Sequence, residues 1–205
     1  MAVLDSSMVN IALPAITQGL GTDLSTVQWV VTAYLLTITS LLLSFGRLAD
    51  IVGRKPVYVA GFTIFTIASG LCGLAQSIEQ LILLRAVQGA GAAMTMAISP
   101  AITAAAFPPM ERGKALGINA TVVALGASLG PTLGGLLLNV MDWRVVFFAR
   151  VPIGVAGVLL AALVLRERFQ PGQRQRFDLA GAAVLSMALS ALLVGMNRGL
   201  SLIHI

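Results

Sequence analysis

The chain has 205 residues, a mean hydropathy of +0.94 and only 10% charged residues, against about 25% in soluble domains. Such a chain cannot present a water-facing surface all round, so the composition excludes a soluble globular domain and predicts an all-α polytopic membrane protein. The net charge of +5 would suit nucleic acid, but the basic residues fall in alternate loops instead of one patch, which excludes that partner.

In chain order, seven apolar segments approach the roughly 20 residues a span needs: 1–16, 27–45, 56–75, 78–107, 113–140, 145–165 and 179–196. The first is short and is expected to be truncated on its N-terminal side. The fourth and fifth exceed one bilayer and should tilt or overrun it. Pro56 opens the third span, where its missing N–H is harmless. Pro100, Pro131 and Pro152 are expected to bend their helices. Arg47, Arg54, Lys55, Arg112, Lys114, Arg166, Arg168, Arg174 and Arg176 put the 46–56, 107–114 and 166–178 loops on the cytoplasmic side. The expected organisation is a six-span bundle over 1–165, a cytoplasmic linker at 166–178 and a seventh span over 179–199. The tail 200–205, LSLIHI, is what a transposase library adapter encodes. It is expected to be foreign to the protein, so His204 is given no role. Cys72 stands alone, so neither a disulfide framework nor a metal cluster is expected.

Charges inside the apolar runs carry the functional signal, because a charge in hydrocarbon is costly and is kept for use. Asp5 lies in the stretch Leu4-Asp5-Ser6-Ser7-Met8-Val9-Asn10-Ile11-Ala12-Leu13-Pro14. A carboxylate there can take up and release a proton; the plainer reading is a cap on a short helix. Arg85 lies in the fourth run, and Arg85, Gln88, Ala92, Thr95 and Ser99 step by three and four along one helix face. Its guanidinium needs a wet cavity or a carboxylate, and Asp5 is available; the plainer reading is a structural arginine fixing helix register. Gly126, Gly130 and Gly134 recur every four residues beside Pro131 and Gly135, a flat stripe for close helix packing. Arg150 follows the interface anchor Trp143 and is expected to snorkel outward, the alternative being an effect on substrate charge. Gly46–Lys55 reads as a hairpin loop in which Gly46 and Gly53 allow close approach or positive φ, and Asp50 and Arg54 can pair. Gly89-Ala90-Gly91 follows no strand and is not a dinucleotide fingerprint.

Together these stretches resemble the major facilitator superfamily. Gly46–Lys55, GRLADIVGRK, is similar to the signature G-x-L-A-D-x-x-G-R-K/R between the second and third spans. Leu4–Pro14 resembles the first-span motif of drug:proton antiporters with fourteen spans. Arg85–Ala93 resembles the fourth-span motif, Gly126–Gly135 the antiporter motif G-x-x-x-G-P-x-x-G-G, and Trp143–Gly154 the opening of the sixth span, where Asn is usual at the place Arg150 takes. The resemblance implies the N-terminal six-helix bundle of that fold, its first helix truncated, plus a seventh linker helix. It implies that Asp5 and Arg85 couple to protons and that Gly46, Asp50, Gly53 and Arg54 form a conformational latch. Gly126, Gly130, Pro131, Gly134 and Gly135 would be the antiporter motif, packing against the second half. Asn10, Gln88 and Thr95 would line the substrate cavity. The implied activity is proton-coupled export of small amphipathic or cationic drugs across the cytoplasmic membrane. The proton gradient drives it without a cofactor or metal, in partnership with the lipid bilayer and a C-terminal bundle of the same protein. Two alternatives stand beside it: export of one specific metabolite, and an inactive membrane fragment. An enzyme is not expected, because the sequence offers no Ser-His-Asp set, metal-ligand cluster or phosphate loop.

Overall fold

Short capped turns separate long apolar helices. The computed structural model describes residues 1–165 and six isolated helical positions between 181 and 195. The linker at 166–178, the tail at 200–205 and most of the seventh span at 179–199 lie outside the described residues. The helices are α1 (Ala2–Leu20), α2 (Leu24–Val52), α3 (Arg54–Gly73), α4 (Ile78–Ala106), α5 (Arg112–Val140), α6 (Val145–Phe148) and α7 (Arg150–Val164). A 3-10 turn, Pro109–Glu111, leads into α5, and there is no strand among the described residues. Helices α2, α3, α4, α5 with its leading turn, and α6 with α7 are each long and apolar enough to cross a membrane.

The ends follow from local chemistry. Gly21 takes φ 62° and stops α1, its N–H donating to the Thr17 carbonyl. Asp23 caps α2 by accepting from the backbone N–H groups of Ser25 and Thr26 at 3.0 and 3.1 Å. Ser77 caps α4 by accepting from Gln80 N–H at 3.3 Å. Pro14, Pro100 and Pro131 each lie inside an unbroken helix.

Four sequence expectations change. The Gly46–Lys55 loop does not form: α2 runs to Val52 and the chain breaks only at Gly53, whose φ of 112° suits a residue without a β-carbon. Backbone hydrogen bonding inside a membrane favours helix wherever charges can still reach the surface, so the charged stretch stays helical. Likewise the 107–114 loop is shorter than expected, because Arg112 already begins α5. The sixth span divides at Ala149 into α6 and α7, and the first extends four residues further, to Leu20.

Packing forms two groups. Helix α4 packs most extensively, against α2 and α3, with α7 laid on α3; α1 packs chiefly on α5 and less on α2. Small residues set these contacts: a β-carbon on Gly91 would lie 2.6 Å from the Gly61 carbonyl oxygen, so α3 and α4 touch backbone to backbone. The largest buried cluster, including Val9, Ile16, Val30, Leu81, Trp143 and Phe147, spans both groups near the 21–23, 74–77 and 141–144 turns. Outward residues of α5 such as Val122, Leu125, Leu133 and Leu136 are exposed and apolar, as a lipid or helix contact requires.

Candidate functional site

Asp5, Arg85, Gln88 and Arg150 meet at the seam between the two packing groups, each at most 1% exposed. Arg85 and Gln88 reach it because they are three apart on the inward face of α4, shared with Ala92. Asp5 comes from α1, on the inward face with Met8, Val9 and Ala12.

The hydrogen bonds interlock. Arg85 Nη1 donates to Asp5 Oδ2 at 2.6 Å and to Gln88 Oε1 at 2.7 Å. Gln88 Nε2 donates to Asp5 Oδ1 at 3.2 Å, so the amide bridges acid and base. Arg85 Nε donates to the Val30 carbonyl at 3.1 Å, and the guanidinium lies 4.0 Å from the centre of the Tyr34 ring. The Tyr34 hydroxyl in turn donates to the Ala2 carbonyl at 3.3 Å. This converts one charged pair into a tie between α1, α2 and α4.

Arg150 corrects an expectation. It does not snorkel outward: it turns inward and forms an ion pair with Asp5 Oδ1, while its Nε donates to the Val146 carbonyl at 2.8 Å. The reason is register. Val146, Arg150 and Gly154 are four apart and all buried, and Gly154 lies so close to Thr66 that this face of α7 must point at α3. With Arg85 and Arg150 at +2 and Asp5 at −1, the cluster carries +1. Arg85 Nη2 and Arg150 Nη2 have no hydrogen-bond partner.

The other expected site residues separate. Asn10 is exposed on α1, away from the cluster. Thr95 is half-buried and its hydroxyl donates to Ala92 O within α4 at 2.9 Å. Gly46 is helical with ordinary clearance, a β-carbon there lying 3.9 Å from Ala97 Cβ. Asp50 and Arg54 approach to 4.0 Å, both exposed, and Arg54 Nη1 donates to the Ala101 carbonyl of α4 at 3.3 Å. Three glycines of the stripe face α1. β-Carbons on Gly126, Gly130 and Gly134 would meet Leu4, Ser7 and Met8 of α1, whereas Gly135 has open space. Pro131, between them, is exposed.

Sequence reasoning missed Tyr34, which supports Arg85. A lone aromatic in an apolar run gives no signal; only its spacing of four from Val30, the carbonyl Arg85 uses, hints at it. The inward turn of Arg150 was missed as well; its spacing of four with Gly154 is the signal that could have found it.

Chemically, the cluster can hold or release one proton at Asp5. Protonation there would remove the only negative charge that faces the two guanidinium groups among the described residues, and so would loosen the tie across the seam.

The Major Facilitator Superfamily model matches residues 1–201. The chain is 39% identical over 198 residues to the riboflavin transporter RibZ of Clostridioides difficile, covering 97% of this chain and 43% of that protein. It is 35% identical over 198 residues to the multidrug transporter MdtP of Bacillus subtilis, covering 97% of this chain and 36% of that one. In structure it is similar to the human organic anion transporter MFSD10, with a TM-score of 0.66 at 16% identity, over 93% of this chain and 52% of that one. The chain thus spans less than half the length of the two curated relatives.

Proposed function

The chain belongs to the Major Facilitator Superfamily, a family of multi-pass membrane transporters and not of enzymes, and we propose that it is part of a proton-coupled exporter of small amphipathic drugs in the cytoplasmic membrane. Its basic 107–114 and 166–178 segments and the α2–α3 corner then face the cytoplasm. The observation that carries this reading is the Asp5–Arg85 pair, sealed inside the bundle at the meeting of α1 with α4.

In the proposed cycle a second bundle of the same protein supplies the other wall, and the two rock about the midplane. Protonation of Asp5 weakens its hold on Arg85, and the helix pair α1–α5 shifts against α4. Loss of the proton restores the tie. Substrate and proton use the two states alternately, so the gradient drives export. Glycines 126, 130 and 134 let α1 and α5 move as one piece.

A second reading, export of one specific metabolite, is favoured by the 39% identity to a protein named a riboflavin transporter. Proteoliposomes holding the full-length protein separate the two. An imposed pH gradient should drive uptake of several unrelated dyes, with that uptake lost in Asp5→Asn. Transport of a single compound supports the second reading, and unchanged exchange in the variant sinks the role of Asp5.

A further inference from the structure

Two guanidinium groups converge on Asp5, the one buried carboxylate among the described residues. The remaining acids described offer the surplus charge nothing. Asp23 caps α2, Asp50 approaches Arg54 and Asp142 pairs with Arg144 at 3.1 Å; Glu79 and Glu111 are exposed. Tyr34, Gln88 and Cys72 lie against the cluster without carrying a negative charge. Among the described residues the cluster therefore keeps a charge of +1 while wholly buried. Beyond the Arg150 Nη1 that faces Asp5, Arg85 Nη2 and Arg150 Nη2 are buried donors without a hydrogen-bond partner among the described residues. Charged donors are not left so without a function to justify the cost.

We infer that Arg150 makes this cluster a receptor for a carboxylate of the transported molecule, so that the protein selects amphipathic organic anions over permanent cations. The chemistry matches: a carboxylate presents two acceptors to a guanidinium fork and cancels the surplus charge. A cation brought to the same place meets net repulsion, because Asp5 is already held from both sides. Access follows from the packing. The cluster lies on the seam between the α1–α5 pair and the α2–α3–α4–α7 group, so a small parting of that seam uncovers it. The inference rests on the transport reading, but not on the direction in which protons move.

The test uses the full-length protein in detergent micelles, with benzoate as probe and benzamide as its uncharged match, followed by calorimetry. Benzoate should bind wild type more tightly than benzamide. Arg150→Asn should weaken benzoate about tenfold or more without affecting benzamide, as for loss of a charge-assisted contact, while Arg150→Lys keeps part of the difference. Should Arg150→Asn fail to fold, the benzoate–benzamide comparison in wild type still decides. Equal binding of the two probes overturns the inference, as does benzoate binding indifferent to Arg150; a carboxylate of the second bundle filling the place would give the first of these results. In vesicles, carboxyfluorescein should be transported in preference to ethidium. Arg150-dependent benzoate binding with no transport of either dye removes the transport reading and leaves the receptor. Dye transport without benzoate discrimination does the reverse.

Discussion

Arg85 and Asp5 stand 80 positions apart in sequence and 2.6 Å apart in space, both wholly buried. Because Asp5 also meets Arg150, replacing it leaves two guanidinium groups without their anion. Asp5→Asn should cost about 3–5 kcal/mol, the usual range when one partner of a buried pair is removed. Measured by SDS titration in mixed micelles, the variant should insert but unfold earlier. Arg85→Met should be milder, because Arg150 continues to partner the carboxylate. If Arg85→Met proves the more damaging, Arg150 is not an effective second counter-ion.

The glycine motif divides by face. A β-carbon on Gly130 would come within 2.5 Å of Ser7 Cβ and 3.3 Å of the Leu4 carbonyl oxygen; one on Gly135 meets nothing within 4 Å. Gly130→Ala should therefore push α1 from α5 and destabilise by about 1–3 kcal/mol, as overpacking does. Gly135→Ala should be neutral or stabilising by up to about 1 kcal/mol, from helix propensity alone. The same SDS titration separates the two, and equal losses would mean that Gly135 also meets a packed surface.

The spans and the Asp5–Arg85 pair were legible because hydropathy and charge are properties of residues taken singly. A buried acid needs a base, and few were on offer. Arg150 and the glycine stripe were less legible because each depends on which way a helix face turns. Snorkelling is a sound expectation for an arginine two turns from an interface tryptophan. Here Gly154 and Gly157, lying against Thr66 and Phe62 of α3, turn that face inward and take Arg150 with it. The signature stretch misled for a different reason. Its charges mark a membrane surface, and a helix can reach that surface without becoming a loop, as α2 does up to Val52.

Asp23 gives a prediction about pH. Hydrogen bonds from the Ser25 and Thr26 hydroxyls, with the Thr26 backbone N–H, hold its carboxyl below the ordinary carboxylate range. A group whose folded value is depressed contributes stability that is complete above its unfolded pKa and is lost as pH falls through the folded one. The melting-temperature gap between wild type and Asp23→Ala should stay constant from about pH 8 to about pH 5 and narrow only below about pH 4. Asp23→Asn, which keeps an accepting oxygen, should retain most of the cap without that narrowing. A gap that closes near neutral pH would show that the cap does not work through the ionised carboxylate.

The signature stretch yields a last contrast, between Gly53 and Gly46. Gly53 is buried at φ 112°, its N–H donating to the Ala49 carbonyl at 3.0 Å, and any side chain there is strained by about 1–3 kcal/mol. That strain falls on the corner from which Arg54 reaches both Asp50 and the Ala101 carbonyl. Gly53→Ala should therefore loosen the α2–α3 corner, seen as faster hydrogen exchange at Val52–Lys55 and slower transport by the full-length protein. Gly46 sits mid-helix with a β-carbon's room beside Ala97, so Gly46→Ala should leave both readouts near wild type. If Gly46→Ala slows transport as much as Gly53→Ala, the glycine is needed for a contact made in another state of the cycle, and the latch extends along α2 beyond the corner.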